Sequence, residues 1–200
     1  MMRLYASAAV VSVAALVAGT YAYTQLRTTA ACQAASRAGA EIGGSFTLVS
    51  ETGQTVTDQD IIQQPTLVYF GYTFCPDVCP LDTSRMAIAT DILEEQGHDV
   101  LPVFITIDPE RDTPEVLDDY TANLHPRMIG LTGSQEQVAA ASKAYKTYYA
   151  KQDTGDEFYL MDHSTFTYFM MPDGQLADFF RRDLSPDAVA ERVRCHILSS

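Results

Sequence analysis

Two cysteines separated by three residues are the sharpest chemical feature of this 200-residue sequence, in the segment Cys75-Pro-Asp-Val-Cys79. The pair precedes a predicted helix, so both thiols are expected near the positive end of the helix dipole and near free backbone N–H groups. Both effects favour the thiolate, which is the form that binds a metal or attacks a disulfide. The spacing alone fits a plain disulfide in an exported protein equally well.

Buried strands and helices are predicted on both sides of the cysteine pair. The pattern over residues 46–57 predicts a β-hairpin, and apolar runs at 66–70 and 100–107 predict strands buried on both faces. Helices are predicted at about 82–96, from Thr113, from Ser134 to about Tyr149, and from Ser185. Further strands are predicted at 128–131, 157–161, 165–171 and 175–180.

This order of elements predicts an α/β domain with a thioredoxin-like fold and an N-terminal β-hairpin. The cysteine loop then follows the first buried parallel strand and opens a helix. Sites in α/β sheets usually form at that edge of the sheet.

Four segments of the sequence resemble the motifs of the Sco/SenC family, the membrane-anchored copper proteins of cytochrome oxidase assembly. These segments are VYFGYTFCPDVCP at 68–80, FITIDPERDTP at 104–114, GLTG at 130–133 and DHS at 162–164. The resemblance covers roughly residues 43–198. It implies a thioredoxin-like fold and a copper ion bound by Cys75, Cys79 and His163.

The chemistry of these three residues agrees with that implication. Two thiolates and an imidazole suit Cu(I) and can also hold Cu(II), whereas structural zinc would want a fourth protein ligand. His163 stands just before a predicted strand, where a thioredoxin would have its cis-proline. A ligand there favours metal binding over general disulfide exchange. The other histidines are expected to be ordinary surface or core residues: His98, His125 and His196.

For several other residues, a structural role and a functional role are both considered. Asp77 could favour a bound cation or cap the following helix. The Asp108–Asp112 cluster is expected to stabilise its loop through an Arg–carboxylate pair, with recognition of a basic partner as the alternative. Cys195 is expected to be buried, and a disulfide with Cys32 is the alternative. Core packing is expected for Met161, Met170, Met171, Tyr145, Tyr148 and Tyr149.

The N-terminal residues 1–23 are expected to be a membrane anchor or a signal. The run from Leu4 to Tyr23 carries no charge and is long enough for a single transmembrane helix, while a cleaved signal peptide is the alternative. Residues 24–42 are interpreted as a tether and residues 43–200 as the copper-binding domain. Both readings place the domain on the exported side, in the periplasm or in the intermembrane space if organellar.

The formal net charge of −13 argues against nucleic acid as a partner. The leading hypothesis is a copper metallochaperone that delivers copper to the copper-containing subunit of a terminal (cytochrome c) oxidase during its assembly. The alternative is a thiol-disulfide oxidoreductase that keeps the acceptor's cysteines reduced for metallation. In either case a thioredoxin-like reductant is an expected partner, because an oxidised cysteine pair cannot hold copper.

Overall fold

The computed structural model describes residues 14–20, 22–23, 42–152 and 159–199. Residues 14–20 and 22–23 are helical and exposed. Within the described ranges, no helix has the length and apolar character needed to cross a bilayer. The predicted anchor over residues 4–23 lies largely outside these ranges, so it stays a prediction, as do the domain boundaries.

Seven strands form one mixed sheet, and two more form a separate ribbon. The strands are β1 (Thr47–Ser50), β2 (Thr55–Thr57), β3 (Thr66–Gly71), β4 (Leu101–Thr106), β5 (Ile129–Thr132), β6 (Tyr149–Lys151), β7 (Met161–His163), β8 (Thr167–Met170) and β9 (Leu176–Phe180). The order in the large sheet is β2-β1-β5-β4-β3-β8-β9, and among the described strands β6 and β7 pair only with each other. The hairpin and the buried strands are therefore confirmed.

In the described ranges from residue 42 onward, five helices accompany these strands: α1 (Asp58–Ile61), α2 (Val78–Glu95), α3 (Pro114–Ala122), α4 (Gln135–Ala144) and α5 (Pro186–Ser199). Three of them begin where the sequence predicts, because a hydroxyl caps a free backbone amide. The Thr113 side chain accepts from the Val116 amide, and Ser134 forms a capping box with Gln137. The Ser185 hydroxyl accepts from the amide of Ala188.

The centre of the sheet is parallel and completely buried. Strand β3 pairs with β4 from Thr66 opposite Leu101 to Gly71 opposite Thr106, and all six of its residues are buried. Since β3 and β4 run in the same direction, the loops that follow them emerge at the same edge of the sheet. The cysteine loop follows β3 and the Asp108–Asp112 loop follows β4, so the topology brings these two loops together.

Two helix boundaries differ from the prediction. Helix α2 begins at Val78, four residues before the predicted start, because Pro80 lies in the first turn, where a missing amide costs nothing. Its end was predicted correctly, since Gly97 has a positive φ of 81°. Helix α4 ends at Ala144 because the chain turns into a left-handed conformation at Lys146, with φ at 50°.

Because α4 ends early, the three tyrosines at helical spacing lie in different environments. Tyr145 is fully buried as expected and Tyr149 is half-buried, but Tyr148 is exposed, so its predicted packing is wrong. The methionines follow the expectation, since Met170 is in the core and Met161 and Met171 pack against it. Of the predicted strand over residues 157–161, residues 157–158 lie outside the described ranges, residues 159–160 are not in a strand, and only Met161 belongs to one, as the first residue of β7.

Gly71, the last residue of β3, leaves room for the side chains of the site. A Cβ atom there would lie 2.8 Å from the Tyr69 ring, 3.0 Å from the Phe104 ring and 3.1 Å from the Cys79 Sγ atom. We expect Gly71→Ala to lower the free energy of unfolding by about 1–3 kcal/mol, because the rings cannot yield without moving the core. Urea unfolding of the reduced chain measures the loss.

The control is Gly133→Ala, whose added Cβ meets only the side chain of Gln137. It should lower the free energy of unfolding by less than Gly71→Ala. Equal losses would contradict the tight packing inferred at Gly71.

Candidate metal centre

The cysteine loop connects β3 to α2 and holds both thiols inside the protein. Thr73 fixes the loop, because its amide and its hydroxyl donate to the Asp112 carboxylate at 3.0 and 2.6 Å. The Cys79 amide donates to the Cys75 Sγ atom at 3.3 Å. Both thiols are free, and Cys79 is fully buried while Cys75 is 8% exposed. Cys75 is therefore the sulfur nearer to the surface.

His163 reaches these thiols from the ribbon. It ends β7, pairs with Tyr149 of β6, and places its Nε2 atom 3.3 Å from the Cys79 Sγ atom. Its Nδ1 atom lies 2.9 Å from the Ser164 carbonyl oxygen. Because a carbonyl oxygen only accepts, the proton belongs on Nδ1, and the lone pair of Nε2 faces the thiol. This is the tautomer that a metal ligand requires.

The ligand atoms of Cys75, Cys79 and His163 all lie within 4.8 Å of one another. They are close enough to share one ion, and their donor set of two sulfurs and one nitrogen suits copper. The three residues that the sequence predicts as ligands are therefore brought together.

Burial sets the protonation of the two inner groups. It raises the pKa of the Cys79 thiol, and it lowers the pKa of the His163 imidazole. Both groups are then neutral near pH 7, with the thiol able to donate to Nε2. This differs from the expectation that the helix terminus favours a thiolate at Cys79, because removing the anion from water outweighs the helix dipole. A bound cation would supply the missing compensation.

Aromatic side chains close the site around His163. The rings of Tyr69 and Tyr72 meet the imidazole edge-on, at centroid distances of 6.1 and 6.0 Å. The Tyr69 hydroxyl donates to the buried carboxylate of Asp82 at 3.0 Å, and Asp82 pairs with Arg85. Sequence reasoning missed both tyrosines. Tyr69 lies in a buried strand, where an aromatic residue normally indicates core packing alone, and Tyr72 follows that strand in the cysteine loop.

The acidic residues near the cysteines have structural contacts. Asp112 is fully buried and also accepts from the Thr106 hydroxyl at 2.6 Å, and Asp108 forms the predicted pair with Arg111. Asp77 is exposed at the N-cap of α2, but its side chain caps no amide, so the capping prediction is wrong. Its role toward a cation stays a prediction.

Among the described residues, a second group also places three possible ligands within 4.8 Å: Asp91, Glu94 and His125. Here the Nδ1 atom of His125 accepts from the amide of Arg127 at 3.1 Å. The proton of the neutral ring is therefore on Nε2, which faces Asp91 Oδ1 at 3.3 Å. With its proton on Nε2 and its Nδ1 lone pair used by the Arg127 amide, this ring has no lone pair left for a metal, and His125 is a core histidine as expected.

The remaining predicted residues lie away from the site. His196 contacts Asp178 at 3.2 Å on α5, and His98 follows the end of α2. Cys195 is buried, as expected, and it is disulfide-bonded. The alternative pairing with Cys32 concerns a residue outside the described ranges.

Fold and site together define a thioredoxin-like domain in which a histidine faces a two-cysteine loop. The family model described as SCO1/SenC matches residues 34–198. Protein SenC of Rhodobacter capsulatus is 55% identical over 169 residues, which cover 84% of this chain and 76% of that protein. The chain belongs to the SCO1/SenC family.

Solved structures of relatives agree with this fold. Arabidopsis thaliana ScoI with copper bound is 39% identical, with a TM-score of 0.76 over 80% of this chain and 99% of that one. Yeast Sco1 with copper bound is 33% identical, with a TM-score of 0.74 over 80% of this chain and 91% of that one. The predicted thioredoxin-like fold and family are therefore confirmed.

The raised pKa of the Cys79 thiol predicts slow alkylation. In a Cys75→Ser variant of the reduced, metal-free chain, we expect Cys79 to react with iodoacetamide at pH 7 at least about tenfold more slowly than after unfolding in urea. Each unit of pKa lowers the thiolate fraction about tenfold, and burial also restricts access. Mass spectrometry measures the rate, and equal rates in the folded and unfolded chain would contradict a buried neutral thiol.

Proposed function

We propose that this chain binds one copper ion through Cys75, Cys79 and His163 and delivers it to the copper-containing subunit of a terminal oxidase during assembly. The observation that carries the proposal is the contact between the Cys79 Sγ atom and the His163 Nε2 atom at 3.3 Å. A histidine that only packed beside a disulfide would not need an unprotonated Nε2 atom whose lone pair faces a sulfur.

Three further observations support copper as the ion. Sulfur ligands prefer a soft ion, and the imidazole allows both Cu(I) and Cu(II). A set of three protein ligands also leaves a position at which another molecule can bind. The relatives from Arabidopsis thaliana and yeast have been solved with copper bound.

The different burial of the two thiols suggests an order for delivery. Cys75 is slightly exposed and Cys79 is not, so an incoming ligand of the acceptor meets Cys75 first. The Cys75 thiolate would be released first and protonated, and Cys79 and His163 would follow. The acidic surface of the chain would steer it onto a more basic acceptor. Anchoring by residues 4–23 would hold the domain on the exported side of the membrane.

A thiol-disulfide oxidoreductase is the second candidate function. It is favoured by two neighbouring free thiols, of which Cys75 is the more exposed and therefore the one that a partner's disulfide would meet first. In that case Cys75 attacks a disulfide of the acceptor, Cys79 resolves the mixed disulfide, and a thioredoxin-like reductant restores both thiols. His163 would then have no direct role.

Copper binding by single-residue variants tests the ligands. The reduced full chain should bind one copper ion, and Cys75→Ser and Cys79→Ser should each abolish high-affinity binding because a hydroxyl is a poor ligand for Cu(I). His163→Ala should weaken binding by at least about tenfold, since even indirect partners of metal ligands have effects of that size. Competition with a chromogenic Cu(I) chelator measures the affinity.

The matched control is His98→Ala, which removes a histidine beyond the far end of α2 and should bind copper normally. Unchanged affinity in Cys75→Ser would remove the basis of the ligand assignment.

Oxidase assembly in cells separates the two candidate functions. In cells that lack the wild-type chain, we expect His163→Ala to reduce both copper loading of the oxidase and oxidase activity, because delivery needs all three ligands. Two quantities are measured: oxidase activity and the redox state of the acceptor's cysteines. Normal assembly with His163→Ala, together with loss of assembly in Cys75→Ser, would favour the oxidoreductase.

A further inference from the structure

The ribbon that carries His163 is not part of the seven-stranded sheet. Strand β7 pairs with β6 alone, whereas the cysteine loop continues directly from the central strand β3. No ladder of backbone hydrogen bonds between described strands therefore fixes the imidazole relative to the thiols. Four residues after His163 the chain enters β8, where Thr167 pairs with Tyr69 of β3, so the sheet holds that end of β7. Among the described strands, the end of β7 that precedes His163 has no such pairing with the sheet, and its position depends on side chains that join it to the rest of the domain.

Arg111 makes the most extensive of these connections. The centre of its guanidinium group lies 3.6 Å from the ring centroid of Tyr159, and Nη1 donates to the Tyr159 carbonyl oxygen at 3.1 Å. On the cysteine side, the same group lies 4.9 Å from the ring centroid of Phe74. Phe74 directly precedes Cys75, and Tyr159 is four residues before His163. Arg111 thus contacts both the cysteine loop and the segment that leads to His163.

The loop around Arg111 is itself firmly held. Asp108 is buried, pairs with Arg111, and accepts from the Tyr159 hydroxyl at 2.8 Å. At the other end of the loop, Asp112 binds the amide and hydroxyl of Thr73 in the cysteine loop. One short loop therefore holds the cysteine loop through Asp112, and it holds the segment that leads into β7 through the contacts of Asp108 and Arg111 with Tyr159.

Other contacts of the ribbon do not replace Arg111. Lys151 of β6 also lies over the Tyr159 ring, at 3.5 Å, and reaches Glu110 of the Arg111 loop at 3.7 Å, but the Lys151 and Glu110 side chains are exposed, and exposed ion pairs contribute little. The Tyr72 hydroxyl accepts from the Met161 amide at 3.2 Å, which is a single neutral bond. A planar guanidinium can stack on an aromatic ring and donate in its plane at the same time, which an ammonium group cannot do.

We propose that Arg111 is a positioning residue that holds the His163 ribbon against the cysteine loop and so preorganises the metal site. This inference rests on the proposed copper site. Without Arg111, the thiols remain in place, but the imidazole has to be ordered when the metal binds. That ordering weakens binding, because the entropy is lost at the moment of binding and not during folding.

Combined variants test this proposal through copper affinity. We expect Arg111→Ala to weaken Cu(I) binding about tenfold, in the range known for residues that orient metal ligands. Arg111→Lys should have an intermediate effect. In a His163→Ala background, Arg111→Ala should cause no further loss, because the two changes act through the same ligand. Arg127→Ala is the control, since it removes another partly buried arginine with its ion pair to Glu94.

Hydrogen exchange of the metal-free chain gives a second readout. The Met161 amide bonds the ribbon to Tyr72, whereas the Ser164 amide donates to the Tyr148 carbonyl oxygen within the ribbon region. In Arg111→Ala, exchange should accelerate at Met161 and stay slow at Ser164. Equal acceleration at both amides, or none, would overturn the positioning role.

The affinity data can also overturn the proposal. An equal loss from Arg111→Ala with and without His163 would mean that the arginine stabilises the fold in general. If His163→Ala alone leaves affinity unchanged, the copper site fails instead, and exchange at Met161 alone decides whether Arg111 holds the ribbon. Should Arg111→Ala not fold, Arg111→Lys decides by the same comparisons.

Discussion

The parallel pairing of β3 with β4 is the constraint on which the rest of the site depends. It continues beyond the strands, since the Ile107 amide donates to the Gly71 carbonyl oxygen at 2.8 Å. Two different loops therefore leave the sheet side by side, one with the cysteines and one with the residues that hold them. Because both strands are buried, neither can shift register without exposing the core. The position of the thiols thus follows from the packing of the whole domain.

Burial also explains why Cys79 and His163 are neutral in the metal-free site. The same loss of water contact opposes a negative charge on Cys79 and a positive charge on His163, and each group moves toward its uncharged form. A cation changes this balance, because its charge compensates the thiolates that burial alone disfavours. Binding a metal then releases protons from the thiols, so affinity and pH are coupled. Such a site is selective for ions whose bonds to sulfur repay that deprotonation.

The elements that the sequence predicts correctly are those determined by local chemistry. The caps at Thr113 and Ser134, the apolar strands and the turn at Gly97 depend on neighbours within a few residues. The start of α2 depended on whether Pro80 fell inside or outside the first turn, and local pattern does not decide this. The raised pKa of Cys79 was missed because burial comes from strands distant in sequence.

The proposed ligand His163 shows most clearly how distance along the chain limits prediction from the sequence. His163 is 84 residues from Cys79, and no periodicity connects them. The family motif identified it, while the elements alone predicted only a strand nearby. Its attachment through a separate ribbon was not predicted either, since an alternating strand pattern does not reveal which sheet a strand joins. Contacts such as that between Arg111 and Tyr159 become visible only once the fold has brought them together.

The arrangement of the ribbon bears on the two candidate functions in a physical way. A general disulfide reductant needs its sulfurs open to the extended chain of a partner, but here the imidazole lies against the inner sulfur and two tyrosine rings enclose it. Of the two cysteines, only Cys75 is exposed to solvent, and its exposed fraction is 8%. This geometry suits a metal site whose protein ligands a partner displaces one at a time, starting with the more exposed Cys75. It disfavours thiol-disulfide exchange with many different partners. The two chemistries still exclude each other at any moment, because a Cys75–Cys79 disulfide would remove two of the three ligands. Oxidation of the pair would therefore stop metal loading, and the reductant that reverses it would control when the site can be filled.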